Sequence, residues 1–240
     1  MMINKKFFLL VSLTIIMQGI LLDTLNLINT NFPFLDGIPI TSSHALEYRY
    51  LLNWYLPIIG MSFYFSGYLS DVTRIHGIAF FVRTYSKSKW IIKQYLRILA
   101  HLLLFIALQM FVSVLFDLGQ STFSKPNLIK ALSMYLLTLL VLLSIQLLIE
   151  LYVKESVAHL IINIYIVFSV LITNQLHSFP KLFHYFFLPV YGMGFRNGLS
   201  QMPKFKLYTI DYFTGFFILL IIQVALVYFS TIKIKNMDLL

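Results

Sequence analysis

Six stretches of the chain are apolar on every face of a helix and long enough to cross a bilayer. They lie near Phe7–Leu22, Leu51–Leu69, Ile98–Phe116, Ala131–Ile149, Val157–Thr173 and Tyr212–Ile232. A hydrocarbon core about 30 Å thick takes about 20 helical residues at about 1.5 Å each. Barrel strands are shorter and alternate in polarity, which these runs do not. The pattern predicts an all-α integral membrane protein, a single transmembrane domain over residues 1–240 with six transmembrane helices. The connections are unequal. "YVKES" makes a tight turn between the fourth and fifth spans, whereas about 38 residues, Asn174 to Asp211, separate the fifth and sixth. That long segment holds "LFHYFFLPVYGMGF", apolar but broken by Pro189, Gly192 and Gly194. An apolar run of about 10–14 residues is too short to span and suits a re-entrant hairpin.

Composition agrees with the pattern. Hydrophobic residues make up 59% of the chain and charged ones 11%, and the mean hydropathy is +0.83. A soluble domain carries about 25% charged residues, so the surface must face lipid. Cysteine is absent, which excludes disulfides, thiolate metal sites and a Cys nucleophile. The opening "MMINKKFFLLVSLTIIMQGILL" has a basic-then-apolar layout without a small-residue cleavage site after it, so an uncleaved first span is expected.

The net charge of +9 reads as orientation in the bilayer rather than nucleic-acid binding. With the N-terminus inside, Lys5, Lys6, Arg74, Arg83, Lys87, Lys89, Lys93, Arg97, Lys154, Lys233 and Lys235 fall on inner segments. Arg49, Lys125, Lys130, Lys181, Arg196, Lys204 and Lys206 fall on the longer outer ones. Positive charge is retained inside, so both ends of the chain are expected on the cytoplasmic side of the membrane. Trp54 with Tyr48, Tyr50 and Tyr55 is expected at the outer interface, and Trp90 with Tyr85 and Tyr95 at the inner one.

Catalytic chemistry is thin. "GMGFRNGLS" is glycine-rich but lacks phosphate-loop spacing, and neither H-E-x-x-H nor G-x-S-x-G occurs. His44 and Glu47 in "HALE" stand at helical spacing in an outer loop. His101 lies one turn inside the third span, and His177 and His184 flank the re-entrant run. Ionisable groups are peripheral: Asp23 near one membrane face, Glu150, Glu155 and His159 near the other, with Glu150 and Lys154 spaced for an ion pair. Ion-coupled carriers place such groups near the midplane. No catalytic, metal or cofactor residue is assigned.

The feature left unexplained is "FFVRTYSKSKWIIKQYLR", Phe80 to Arg97, with five Lys/Arg in a chain otherwise poor in charge. Ile75, Ile78, Val82 and Tyr85 share one helical face while Arg83 and Lys87 share another. Past Ser86, Lys89, Lys93 and Arg97 run at four-residue intervals into the third span. Topology explains the sign of the charge but not the length of the loop or its apolar face. A docking helix for a cytosolic partner explains both.

This layout resembles the membrane subunit of type-2 ABC exporters, the ABC-2 permease family. "RTYSKSKW" followed by "IIKQYLR" is similar to the R-T-x-S-[RK]-x-x-W run of small permeases in Gram-positive bacteria, a group that commonly exports, or protects against, antimicrobial peptides. The resemblance implies a coupling helix seated on the nucleotide-binding subunit, with Arg74, Ile75, Ile78, Phe81, Val82, Arg83, Tyr85, Lys87, Lys89 and Trp90 as docking residues. It implies an extracellular gate from the re-entrant segment, at Phe186, Phe187, Pro189, Tyr191, Gly192 and Gly194. Larger members begin with an amphipathic helix for which "MMINKK" is too short, which points to the minimal branch. The expected partners are a cytosolic ABC ATPase carrying ATP and Mg, a second permease copy or sister permease, membrane lipid, and a peptide or hydrophobic cargo. The chain itself would bind no cofactor and would not be an enzyme. The competing expectation is a non-transporting immunity or sensor subunit that binds a peptide or signalling partner.

Overall fold

The computed structural model describes residues 5–24, 32–39, 48–69, 86–115, 123–175, 180–201 and 210–236. All regular structure among them is helical. In chain order the elements are α1 (Lys5–Thr24), α2 (Pro33–Asp36), α3 (Tyr48–Phe65), α4 (Lys87–Leu115), α5 (Lys125–Glu150) and α6 (Glu155–Gln175). After them come α7 (Lys181–His184), a 3-10 turn (Leu188–Gly192), α8 (Gly194–Asn197) and α9 (Tyr212–Lys235). Helices α4, α5, α6 and α9 are long and apolar enough to cross a membrane, and α1 contributes a shorter apolar stretch, Val11–Leu21. The architecture is that of a multi-pass membrane protein.

Helix boundaries follow local chemistry. Ser124, in extended backbone, precedes α5, and Pro126 occupies its first turn, where a missing N–H leaves no bond unmade. Asp211 caps α9: its Oδ2 accepts from the backbone N–H of Thr214 at 3.1 Å and from the Thr214 hydroxyl at 3.1 Å. Between α5 and α6 only residues 151–154 intervene, the tight turn expected from "YVKES". Helix α4 begins at Lys87 and runs unbroken for 29 residues. The Lys89, Lys93, Arg97 ladder therefore lies on the same rigid rod as the third apolar run.

Side-chain contacts set the directions of the helices. Gln18 Nε2 of α1 donates to the Asn53 carbonyl of α3 at 3.2 Å, and the Phe7 ring packs against Tyr64 at 4.8 Å and His101 at 5.1 Å. The late part of α1 thus meets the early part of α3, and the two run antiparallel. Tyr95 of α4 and Ser230 of α9 share a hydrogen bond at 2.8 Å. Ser133 pairs with Tyr212 and Ser144 with Gln223, so α5 and α9 run parallel in matched register. The start of α1, the end of α3, the starts of α4 and α6, and the ends of α5 and α9 all share one end of the bundle.

Helix α5 is the centre. Met134, Leu139, Val141, Leu142, Leu143 and Leu147 are buried on different sides of it, as in a helix enclosed by neighbours. Helix α9 is the opposite case. Phe213, Phe217, Ile221, Val224 and Tyr228 form an exposed stripe along it, which suits lipid contact.

Candidate functional site

Three regions carry polar chemistry, beginning with the charged end of the bundle. Lys87, Lys89, Lys93 and Arg97 on α4, Lys154 in the tight turn, and Lys233 and Lys235 on α9 gather there. Lys87 Nζ donates to the Lys235 carbonyl at 3.1 Å, and Lys233 Nζ lies 4.3 Å from the Tyr152 ring centroid. Of the predicted docking residues, Arg74, Ile75, Ile78, Phe81, Val82, Arg83 and Tyr85 lie outside the described residues. Lys87, Lys89 and Trp90 occupy the first turn of α4. Lys89 is exposed and Lys87 half-buried.

Among the expected interfacial aromatics Tyr48 is exposed and Tyr50 and Tyr55 are half-buried, but three are enclosed. Trp54 is 2% exposed, Trp90 5% and Tyr95 6%, so all three are core residues rather than belt residues. The reason is helical phase: Trp90, Ile91, Gln94, Tyr95 and Ile98 share the face of α4 turned into the bundle, and Ser230 satisfies the Tyr95 hydroxyl. His101 also faces inward, ringed by Phe7, Tyr64 and Phe65, with Nδ1 2.7 Å from the Arg97 carbonyl. His44, Glu47 and His177 lie outside the described residues.

The second region joins α3, α5 and α6. Ser62 Oγ donates to Gln146 Oε1 at 2.7 Å and sits 3.0 Å from His159 Nδ1. Asn163 Nδ2 reaches Ser62 Oγ at 3.1 Å, and the Tyr55 hydroxyl donates to Asn163 Oδ1 at 2.6 Å. Gln146 Nε2 donates to Glu150 Oε1 at 3.1 Å, which also accepts from the Gly67 N–H at 3.2 Å. Interhelical hydrogen bonds in membranes average about 0.6 kcal/mol each, so the chain of contacts sets helix register more than it adds stability. The sequence showed Glu150 and His159, but not Ser62, Gln146, Asn163 or Tyr55. Tyr55 and Ser62 lie in the second apolar run, Gln146 in the fourth and Asn163 in the fifth, and no local spacing connects the three runs.

The third region is the predicted re-entrant segment, at the end opposite Lys87, Lys154 and Lys235. Pro189, Tyr191, Gly192 and Gly194 are buried, Phe187 is half-buried, and Phe186 is 72% exposed. A Cβ on Gly192 would stand 3.3 Å from Thr138 Cβ, and Thr138 is halfway along α5. Tyr165, halfway along α6, donates its hydroxyl to the Phe186 carbonyl at 3.1 Å and accepts from the Leu188 N–H at 3.1 Å. The segment therefore descends to mid-height between two long helices. Irregular backbone at that depth survives only where protein satisfies its polar groups. Tyrosine does this repeatedly here: Tyr191 donates to the Tyr185 carbonyl at 2.7 Å, and the Tyr185 hydroxyl accepts from the Asp211 N–H at 3.2 Å.

Arg196 of α8 follows this turn and is 0% exposed. Its Nε donates to the Ile38 carbonyl at 3.0 Å and its Nη2 to Asn174 Oδ1 at 3.2 Å, while Nη1 has no partner. Burial pushes the guanidinium down to about 9, so it is still cationic at neutral pH. The sequence counted Arg196 only among the outer charges. Among the described residues no group of three or more His, Cys, Asp or Glu side chains is placed to hold a metal.

Residues 9–240 match a family described as "Protein of unknown function (DUF2705)". The chain belongs to the DUF2705 family. It is similar to a Bacillus subtilis (strain 168) protein described as "Uncharacterized protein YybK", with 39% identity over 219 residues covering 87% of this chain and 86% of that one. No solved structure matches this DUF2705 chain.

Proposed function

We propose that this DUF2705 protein is the membrane-spanning subunit of an ATP-driven exporter of the type-2 ABC kind. In this reading α1, α3, α4, α5, α6 and α9 are six spans, with the lysine-rich end in the cytoplasm and the re-entrant segment outside. The observation that supports it best is the polarity of the bundle. One end gathers Lys87, Lys89, Lys93, Arg97, Lys154, Lys233 and Lys235 where α4 begins, whereas Arg49, Lys125, Lys130 and Arg196 lie toward the other, which is closed by a segment that descends between α5 and α6. ATP and Mg would be held by a separate ATPase subunit, and a second copy or sister permease would complete the pathway. The cargo class is a hydrophobic or amphipathic peptide, exported or expelled for self-protection.

The mechanism uses this chain as a lever. Ser86 marks the start of a 29-residue helix about 43 Å long. A displacement of the residues before it would carry α4 as a rigid body. The polar contacts among α3, α5 and α6 would then exchange between two packings of the bundle, each selected by the nucleotide state of the ATPase. Reversing charge where the chain enters α4 tests the lever. Arg83→Glu with Lys87→Glu is expected to leave ATP hydrolysis by the assembled complex within about twofold while cargo transport falls at least about tenfold, which is about 1.4 kcal/mol of coupling. Transport in proteoliposomes that stays proportional to hydrolysis would remove the loop from the mechanism.

A further inference from the structure

We infer that Arg196 is the receptor of an oxyanion-binding site, taking a carboxylate or phosphate group at the end of the bundle closed by the re-entrant segment. The inference does not depend on the exporter reading. A guanidinium offers five N–H donors in a planar fork. Two nitrogens here are used, by the Ile38 carbonyl and Asn174 Oδ1, and both acceptors are neutral. Nη1 is enclosed without a partner. Among the described residues no carboxylate pairs with Arg196, and Asp36, buried in the same cap, does not bridge to it.

A buried charge whose counter-ion is missing is strongly destabilising, whereas an oxyanion across the outer nitrogens meets the fork in its preferred bidentate manner. Three separate pieces of chain converge on the group: the Ile38 segment, the end of α6 through Asn174, and α8. An anion bound there would tie the cap to the bundle. Such an anion has two sources, a phospholipid headgroup or a soluble anion.

Thermal unfolding of the purified full-length chain in phosphate-free maltoside detergent tests this. Sodium phosphate or sodium acetate is compared with sodium chloride at equal ionic strength. In a parallel arm, phosphatidylglycerol is compared with a galactosyl diacylglycerol that lacks phosphate. The wild type is expected to gain about 4 °C at a probe concentration tenfold above Kd. A gain with phosphate or acetate assigns a soluble anion, and a gain with phosphatidylglycerol alone assigns a headgroup. Arg196→Gln is expected to lose the gain, and Arg196→Lys, which keeps the charge but not the fork, to lose at least half of it. Without anion, Arg196→Gln is expected to melt no lower than the wild type, because no ion pair is removed. The inference is overturned if no probe stabilises the wild type or if Arg196→Gln gains equally. It is also overturned if Arg196→Gln fails to fold without anion, which would make Arg196 a structural pin.

Discussion

Gly37→Ala is expected to destabilise the folded bundle by about 3 kcal/mol, read as the shift in midpoint of denaturation from mild detergent into dodecyl sulfate. Two causes add. Gly37 ends α2 at φ 74° and ψ −139°, a region almost closed to residues with a Cβ. The added carbon would also stand 2.5 Å from Met193 Cγ and 3.2 Å from Met193 Cα. The side chain can turn away, but the backbone of the re-entrant segment cannot, and overpacking of this kind costs about 1–3 kcal/mol. Gly19→Ala is the control: nothing lies within 4 Å of its Cβ position, and alanine favours a helix by about 1 kcal/mol. Equal midpoints for the two variants would contradict the packing of α2 against residues 193–194.

Tyr165→Phe removes one oxygen and is expected to cost about 2–4 kcal/mol by the same measurement. That oxygen satisfies both the Phe186 carbonyl and the Leu188 N–H, at a depth where water offers no substitute. The phenyl ring keeps its packing, so the loss reports on the two backbone groups alone. Tyr228→Phe, on the exposed stripe of α9 at 62% exposure, is expected to change the midpoint by less than about 0.5 kcal/mol. A silent Tyr165→Phe would mean that the segment does not descend between α5 and α6.

The contrast between these residues and the apolar runs shows which physics is legible in a sequence. A spanning helix is a local property: about 20 consecutive apolar residues suffice, and α6 and α9 follow the predicted runs within three residues at each end, while α5 begins six residues before its run. The break at Pro189, Gly192 and Gly194 was equally local, because proline removes a helix hydrogen bond and closely spaced glycines weaken a helix. Tyr165 and Thr138 gave no warning, since one hydroxyl in an apolar run says nothing about what it meets. Ser62, Gln146 and Asn163 meet only through α3, α5 and α6 packing together. Trp54, Trp90 and Tyr95 were misplaced because aromatic belts are a statistical tendency, whereas helical phase turned these three into the core. The short α2 escaped notice although "PFLDG" carries a proline start and a glycine stop. Its buried Phe34 and Leu35 matter only because the re-entrant segment covers them.

Across the membrane the pieces suit different tasks. The cap holds α2, the re-entrant turn and α8 in a dense cluster in which Gly37 and Gly194 leave no room for a side chain. The opposite end presents lysines on the rigid α4 and α9 and, at Lys87 and Lys235, joins them. A motor acting on that end and a gate at the other would divide the work of export between them, with the motor on a separate chain. The direct measurement is purification of the tagged chain, expressed with its neighbouring genes, from its own host membrane in mild detergent. A co-purifying chain with a phosphate-binding loop is expected, identified by mass spectrometry, at one copy per membrane subunit, together with ATP hydrolysis by the complex. A preparation that holds the membrane chain but neither such a partner nor ATP hydrolysis would contradict the exporter reading.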